Sequence, residues 1–200
     1  MFVQMFTAKV ADAEAVRGLF DSWPTQRPPD VAWLGTTAGV TDDGSLVAVV
    51  RFETEQSARA NSDRPEQGHW WASLERSLAG DATFFESSDV EVQLVGDLDQ
   101  ARFVQVMRGR VTDVDRARRV GSDDPEALSR FRPDILGSLL LAKDSGEYAM
   151  AVYFTDEDAA RAGEQQQPPP EIAAQMEELN ALNDGPVTFY DLRDPWLYSP

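Results

Sequence analysis

His69 is the only histidine in 200 residues, and there is no cysteine. One imidazole is therefore the whole supply for acid–base work near neutral pH. Thiolate nucleophiles, disulfides and cysteine-ligated metals are excluded. His69 lies in Gly68-His69-Trp70-Trp71, near the start of a helical segment. There the positive end of the helix dipole favours a neutral, ligating imidazole. The competing reading is an ordinary helix start. A nonhaem metal centre on one histidine would need carboxylates at ligand spacing. The sequence offers no such cluster, so no metal is expected.

Arg51 and Tyr153 are the other two candidate catalytic residues. They share one position near the end of a strand in each of two similar segments. An arginine facing a cavity could hold a phenolate or carboxylate, and a tyrosine could donate a hydrogen bond there. The plainer alternative is an arginine pointing to water. Gln4 and Gln105 also share a position. Alternation places Phe2, Gln4 and Phe6 on one strand face, and an amide between two aromatics needs a partner. Gln4 and Gln105 are thus read as ligand-binding residues that orient a substrate carbonyl, or as structural hydrogen bonds. Trp33, Trp70, Trp71 and Phe84, with Phe85, could wall a flat ligand or simply pack a core.

The elements that must position these residues follow from periodicity. Met1 to Val10 alternates and is rich in Phe and Val, a strand pattern. Asp12 is placed to cap a helix carrying Val16, Leu19, Phe20 and Trp23 on one face, and Pro24 should stop it. A Pro-rich connection, 26–30, leads to a strand from Val31 to Val40. Asp42-Asp43-Gly44 should turn the chain into a hairpin. Leu46 to Phe52 is almost wholly apolar, so it should be central and buried on both faces. A helix from Glu55 is interrupted at Pro65 and resumes from Glu66 to Ala79 with Trp70, Trp71, Leu74 and Leu78 inward. Strands at 83–86 and 90–95 complete the segment.

The chain then repeats itself. Phe2-Val3-Gln4 returns as Phe103-Val104-Gln105, and Glu55-Gln56-Ser57-Ala58-Arg59-Ala60 as Glu157-Asp158-Ala159-Ala160-Arg161-Ala162. A period of about 100 residues is too long for a solenoid unit and suits one small domain. The repeats are placed at 1–97 and 98–200. The second differs by a Gly-Ser break at 121–122, a further short helix beginning at 123–125 and running to Phe131, and a Gln/Pro tract at 165–170. Arg108 and Arg110 break its first-strand pattern, so any active site is expected in one half, the first.

The net charge is −17, from 35 acidic and 18 basic residues. Such a surface repels phosphate backbones and anionic lipid, so neither nucleic acid nor membrane is an expected partner. No apolar run approaches the ~20 residues of a membrane span. The N-terminus lacks a signal-peptide pattern, and the expected location is cytoplasmic.

Each copy has the order strand–helix–strand–strand–helix–strand, the split βαβ or ferredoxin-like arrangement. One such unit leaves a bare sheet face that must be covered. With a fifth strand placed to exchange between halves and a charged helix opening after the third strand, the chain resembles the dimeric α/β-barrel superfamily, and within it the antibiotic-biosynthesis-monooxygenase-like group. The expected fold class is α+β: two ferredoxin-like split βαβ repeats packed sheet-to-sheet into an intramolecular α/β barrel. That is a monomeric pseudo-dimer, and an open edge at its tail would allow a further homodimer.

The resemblance implies a cavity between sheet and helices. Members include cofactor-independent monooxygenases acting on polycyclic phenols, haem-degrading enzymes, haem peroxidases and proteins with no shown activity, so fold alone does not settle function. The leading expectation is binding of a small hydrophobic, aromatic or polyketide-like molecule and its oxygenation without a cofactor. The protein would then supply deprotonation and electrostatic support in a dry cavity. The alternatives are a haem-binding protein with His69 as ligand and a non-catalytic binding protein.

Overall fold

The computed structural model describes residues 1–28, 31–121 and 125–200, without the side chains of residues 125 and 126. The chain divides into two compact units, Met1–Val90 with Leu192–Pro200, and Glu91–Asp191.

The first unit holds β1 (Phe2–Lys9), α1 (Ala13–Gln26), β2 (Trp33–Val40), β3 (Ser45–Phe52), α2 (Glu55–Ser62), α3 (Pro65–Glu75), β4 (Thr83–Ser87) and the last strand of the chain, β10 (Trp196–Tyr198). Its sheet order is β10-β2-β3-β1-β4. β5 (Val90–Leu94) follows β4 in the chain but pairs in the other sheet. The second unit contains a short 3-10 turn (Leu98–Gln100), β6 (Phe103–Arg110), α4 (Val114–Gly121), α5 (Pro125–Phe131), β7 (Ile135–Ala142), β8 (Glu147–Phe154), α6 (Glu157–Glu164), α7 (Pro170–Leu182) and β9 (Thr188–Leu192). Its sheet order is β5-β7-β8-β6-β9. Both sheets are thus the ferredoxin-like arrangement with one added edge strand, and the fold is α+β. Because β5 and β10 each join the sheet of the opposite repeat, the compact units do not follow the 97/98 boundary of the sequence repeat.

Local chemistry explains the element limits. The Asp12 carboxylate accepts from the Ala15 N–H at 3.0 Å, the expected N-cap of α1. Pro24 does not end α1, which runs to Gln26. A proline removes one N–H, and so late in the helix the loss is contained: Arg27 N–H still closes on Trp23 C=O at 3.0 Å. Pro65, by contrast, takes the first turn of α3, where a missing N–H is harmless. Residue 122, half of the Gly-Ser break, lies outside the described residues, as do residues 29 and 30 of the Pro-rich connection.

Both hairpins turn on glycines with left-handed backbone, Gly44 at φ 75° and Gly146 at φ 88°. β3 is the central strand of its sheet, and Leu46, Val47, Ala48, Val49 and Phe52 are all buried. The helix-side core of the first unit joins Phe6, Val16, Phe20, Ala48 and Leu74, with Trp70, Trp71 and Leu78 packed against it.

The register proves the equivalence of the repeats residue by residue. Val3 opposes Arg51 as Val104 opposes Tyr153. Gly35 and Gly137 flank the same two positions after matching irregularities in β2 and β7.

Candidate functional site

A cavity of about 320 Å³ opens in the first unit between the sheet and its helices. That lies in the range of small-molecule sites. β1 supplies Gln4 and Phe6, β3 supplies Val50 and Phe52, and β4 supplies Phe84. α1 supplies Phe20, Trp23 and Pro24, while α2 and α3 supply Asn61, Ser62, Gln67, Trp70 and Trp71. Tyr198 closes it from β10, the last strand of the chain.

The walls are aromatic and mutually braced. Trp71 packs edge-on against Phe6 at 5.3 Å and lies 5.3 Å from Phe84. Trp70 meets Phe20 edge-on at 5.4 Å, and its indole N–H donates to Leu19 C=O at 3.0 Å. Phe84 remains 48% exposed although it lines the cavity. A large apolar ring held in the open beside a cavity leaves a flat face for a ligand.

Three amides set the polarity, and the partner of each fixes its orientation. Gln4 donates through Nε2 to Glu86 Oε1 at 2.6 Å. Glu86 is paired with Arg59 at 2.7 Å, and an ion-paired carboxylate only accepts. Gln4 therefore turns its N–H₂ to Glu86. Asn61 accepts through Oδ1 from the Arg64 guanidinium at 3.2 Å, and a guanidinium only donates. Its N–H₂ is thus turned from Arg64. Gln67 accepts through Oε1 from the Trp23 indole N–H at 2.8 Å, with the same consequence. Amides thus line the cavity on both the β1 side and the helix side, each with one end already bonded within the protein.

Tyr198 is the one lining residue with a titratable side chain. Burial, and then its hydrogen bond to Asp21 at 2.6 Å, push its phenol well above the usual tyrosine range. Asp21 is held below the usual carboxylate range, first by that bond and then by Arg17. Tyr198 is accordingly a neutral donor and not a base.

The three candidate catalytic residues are not brought together. His69 is exposed on α3 and does not line the cavity. Trp70, Trp71 and Leu74 take the inward face, and Glu66 and Ala72, one turn either side of His69, are exposed with it. An iron held in the cavity would find no imidazole there, so these residues do not fit haem ligation. Arg51 shares a sheet face with Val3, opposite the face on which Val50 and Phe52 meet the cavity. Its guanidinium lies over Gly35, where a Cβ would stand 2.1 Å from Nη2, and its buried Nε has no hydrogen-bond partner. Tyr153 is fully buried in the second unit at the matching register position.

Of the expected ligand-binding residues, Gln4, Trp70, Trp71 and Phe84 line the cavity together. Trp33 is core: it is buried with Phe2, Phe52 and Ala58, stacks edge-on with Trp23 at 5.2 Å and donates to Thr36 at 2.9 Å. Gln105 belongs to the second unit, where it donates to Asp191 at 2.9 Å. Asp191 is paired with Arg161, whose guanidinium lies over Phe103 at 5.1 Å. This copies the first unit, where Arg59 lies over Phe2 at 5.5 Å. The repeats therefore share a whole aromatic–glutamine–carboxylate–arginine network and not the glutamine alone.

The space beside that second network is filled. Gly163 stands where the first repeat has Asn61, and a Cβ on it would be 2.3 Å from Arg132 Nε. The Arg132 guanidinium lies 5.6 Å over Phe154, the counterpart of the cavity-lining Phe52. It is fixed by Asp134 at 2.7 Å and by Ala160 C=O at 3.2 Å. Asn61, Gln67 and Tyr198 were absent from the sequence-derived site. The change from Asn61 to Gly163 between the repeats was the available signal for the first.

The ferredoxin-like fold is shared with solved structures over nearly the entire chain. A candidate monooxygenase from Fusobacterium nucleatum superposes with a TM-score of 0.73 at 9% identity, covering 99% of this chain and 94% of that one. A candidate monooxygenase from Lactobacillus acidophilus gives 0.70 at 10% identity, covering 98% of both chains. An anthrone oxidase-like protein gives 0.66 at 10% identity, covering 98% and 92%. No protein-family profile matches the sequence, and no curated protein matches it. At such identities the likeness is one of fold, which agrees with the resemblance drawn from element order. Among the described residues no helix is long and apolar enough to cross a membrane, and no group of three or more His, Asp or Glu side chains could hold a metal ion.

Proposed function

We propose that the first unit binds a small, flat aromatic ketone and supports its oxygenation by dioxygen without an added cofactor. The observation that carries this reading is the aromatic-walled cavity of about 320 Å³ with the amide side chains of Asn61 and Gln67 on its helix side. The fold neighbours include an anthrone oxidase-like protein, and a tricyclic ketone of that kind suits such walls.

The lining residues limit the chemistry. They offer donors but no strong base, since Tyr198 is a neutral phenol already committed to Asp21. The substrate must then be a carbon acid whose anion spreads over its rings. The Asn61 and Gln67 N–H₂ groups would stabilise the charge growing on the ketone oxygen, as oxyanion donors do. Trp71 and Phe84 would hold the ring plane. The methylene proton passes to solvent water, the delocalised carbanion passes an electron to dioxygen, the radical pair collapses to a peroxide anion that takes a proton back from water, and loss of water leaves a second carbonyl. One CH₂ and one O₂ become one C=O and one H₂O.

Oxygen uptake with anthrone, read against the uncatalysed rate, tests the proposal. The wild type should consume one O₂ per quinone formed. Asn61→Ala should lower kcat by about 10²-fold, as loss of one oxyanion donor does. An uptake rate no higher than without protein overturns the reading.

A further inference from the structure

The orientation of Gln4 bears on which ligand the cavity prefers, an inference that rests on the proposed aromatic-ligand reading. Gln4 and Glu86 are direct cross-strand partners on β1 and β4. Arg59 reaches both Glu86 oxygens, at 2.7 and 3.3 Å, and is tethered by Glu55 at 3.4 Å. With the carboxylate held on one side, the Gln4 amide has a single favourable orientation: N–H₂ to Glu86, Oε1 away from it. That oxygen has no protein donor among the described residues, while Gln4 lines the cavity. Phe6 and Phe84 are the next pair along on the same face, and both line the same wall.

We propose that Gln4, locked by Glu86 and Arg59, is a specificity-determining residue that accepts a hydrogen bond from a hydroxyl on the aromatic ligand. The preferred ligand class is therefore a hydroxyaryl ketone. Its hydroxyl faces Gln4 on the β1 side, and its carbonyl faces the Asn61 and Gln67 donors on the helix side. A ligand without the hydroxyl leaves the Gln4 oxygen desolvated and unpaired, which is penalised more than the bond itself is rewarded.

The second unit provides the internal control. Gln105, Asp191 and Arg161 make the same network there, beside space that Arg132 fills. A purely structural role for the network should therefore show equally in both units.

The test uses two probes, anthrone and 4-hydroxyanthrone, whose hydroxyl lies on the edge opposite the carbonyl, under anaerobic conditions. All five tryptophans, Trp23, Trp33, Trp70, Trp71 and Trp196, lie in the first unit, so quenching of their fluorescence reports binding there. The wild type should bind the hydroxy probe about ten-fold more tightly than anthrone, the worth of one satisfied buried acceptor. Gln4→Met and Glu86→Gln should each bring the ratio towards one, the latter because a neutral amide partner lets Gln4 turn over. Asp191→Asn should leave the ratio unchanged. Equal affinities in the wild type, or a ratio that persists in Gln4→Met, overturn the Gln4 assignment and leave the cavity reading intact. Binding of neither probe overturns both.

Discussion

Gly163→Ala should change the sign of its effect according to the residue at position 132. In the wild-type chain the new Cβ would stand 2.3 Å from Arg132 Nε and 2.6 Å from Cζ. The guanidinium cannot simply swing away. It is bound to both oxygens of Asp134, at 3.0 and 2.7 Å, and to Ala160 C=O at 3.2 Å. The two side chains are only 13% and 10% exposed. Displacing it should cost about 2–3 kcal/mol in overpacking and a weakened charged hydrogen bond. The helix gains about 0.5–1 kcal/mol from Gly to Ala, so the net loss is about 1–2 kcal/mol. Arg132→Ala alone should cost about 3 kcal/mol, because it strands Asp134 without its partner. In that background the clash is gone, and Gly163→Ala should stabilise by about 0.5 kcal/mol. The coupling, roughly 2 kcal/mol, lies in the range of residues in contact. Urea unfolding followed by far-UV circular dichroism measures it through the shift in midpoint at constant slope. Additive effects, or a stabilising Gly163→Ala in the wild type, would refute the claim that Arg132 fills this space.

Two pH profiles follow from the shifted groups. The Tyr198 pKa is raised in the folded protein, so its stabilisation is complete below the usual value of 10.0 and is lost as pH rises beyond it. The Tm difference between wild type and Tyr198→Phe should therefore shrink between pH 9 and 11 (about one unit either side of that value), and a constant gap would show that neither burial nor the Asp21 bond raises the phenol's pKa. Asp43 is held far below the usual 3.8, first by the Lys9 ammonium and then by the Thr41 and Ser45 hydroxyls. Its stabilisation is present above that value and lost as pH falls through the lowered one, so Asp43→Asn should lose Tm at pH 6 and converge on the wild type towards about pH 2.

The framework was legible because its signals are local. Alternation, the Asp12 cap, the Asp-x-Gly turns and the repeated Glu-x-x-x-Arg helix opening each act within a few residues. Gln4 and Gln105 stood out as amides between aromatics. Their partners Glu86 and Asp191 did not, because the contacts join strands more than eighty residues apart. Even so, Arg59 and Arg161 recur in the same Ala-Arg-Ala setting and Glu86 and Asp191 end matching strands, so comparing copies for paired charges could have found the network. Arg51 was assigned to a cavity by residue type, whereas sheet parity decides: it opposes Val3 and not Gln4, which puts it on the other face. His69 drew attention as the lone imidazole, yet exposed Glu66 and Ala72 one turn away mark its side of α3 as the wet one. Tyr198 could not be read locally at all, since it reaches the cavity through a three-residue strand paired with β2.

A flat aromatic ligand, as proposed, needs one open cavity in the first unit. Gly68 lines it on α3, and nothing lies within 4 Å of where its Cβ would be. Gly68→Phe should therefore accept a Cβ without a clash and, as a glycine replaced within a helix, without loss of stability, and its ring is expected to occupy the cavity. The decisive measurement is the tryptophan-quenching titration with anthraquinone on wild type and Gly68→Phe. One saturable site per chain is expected in the wild type, and its loss in a folded Gly68→Phe variant. Equal binding by both proteins, or no saturable site in either, would contradict it.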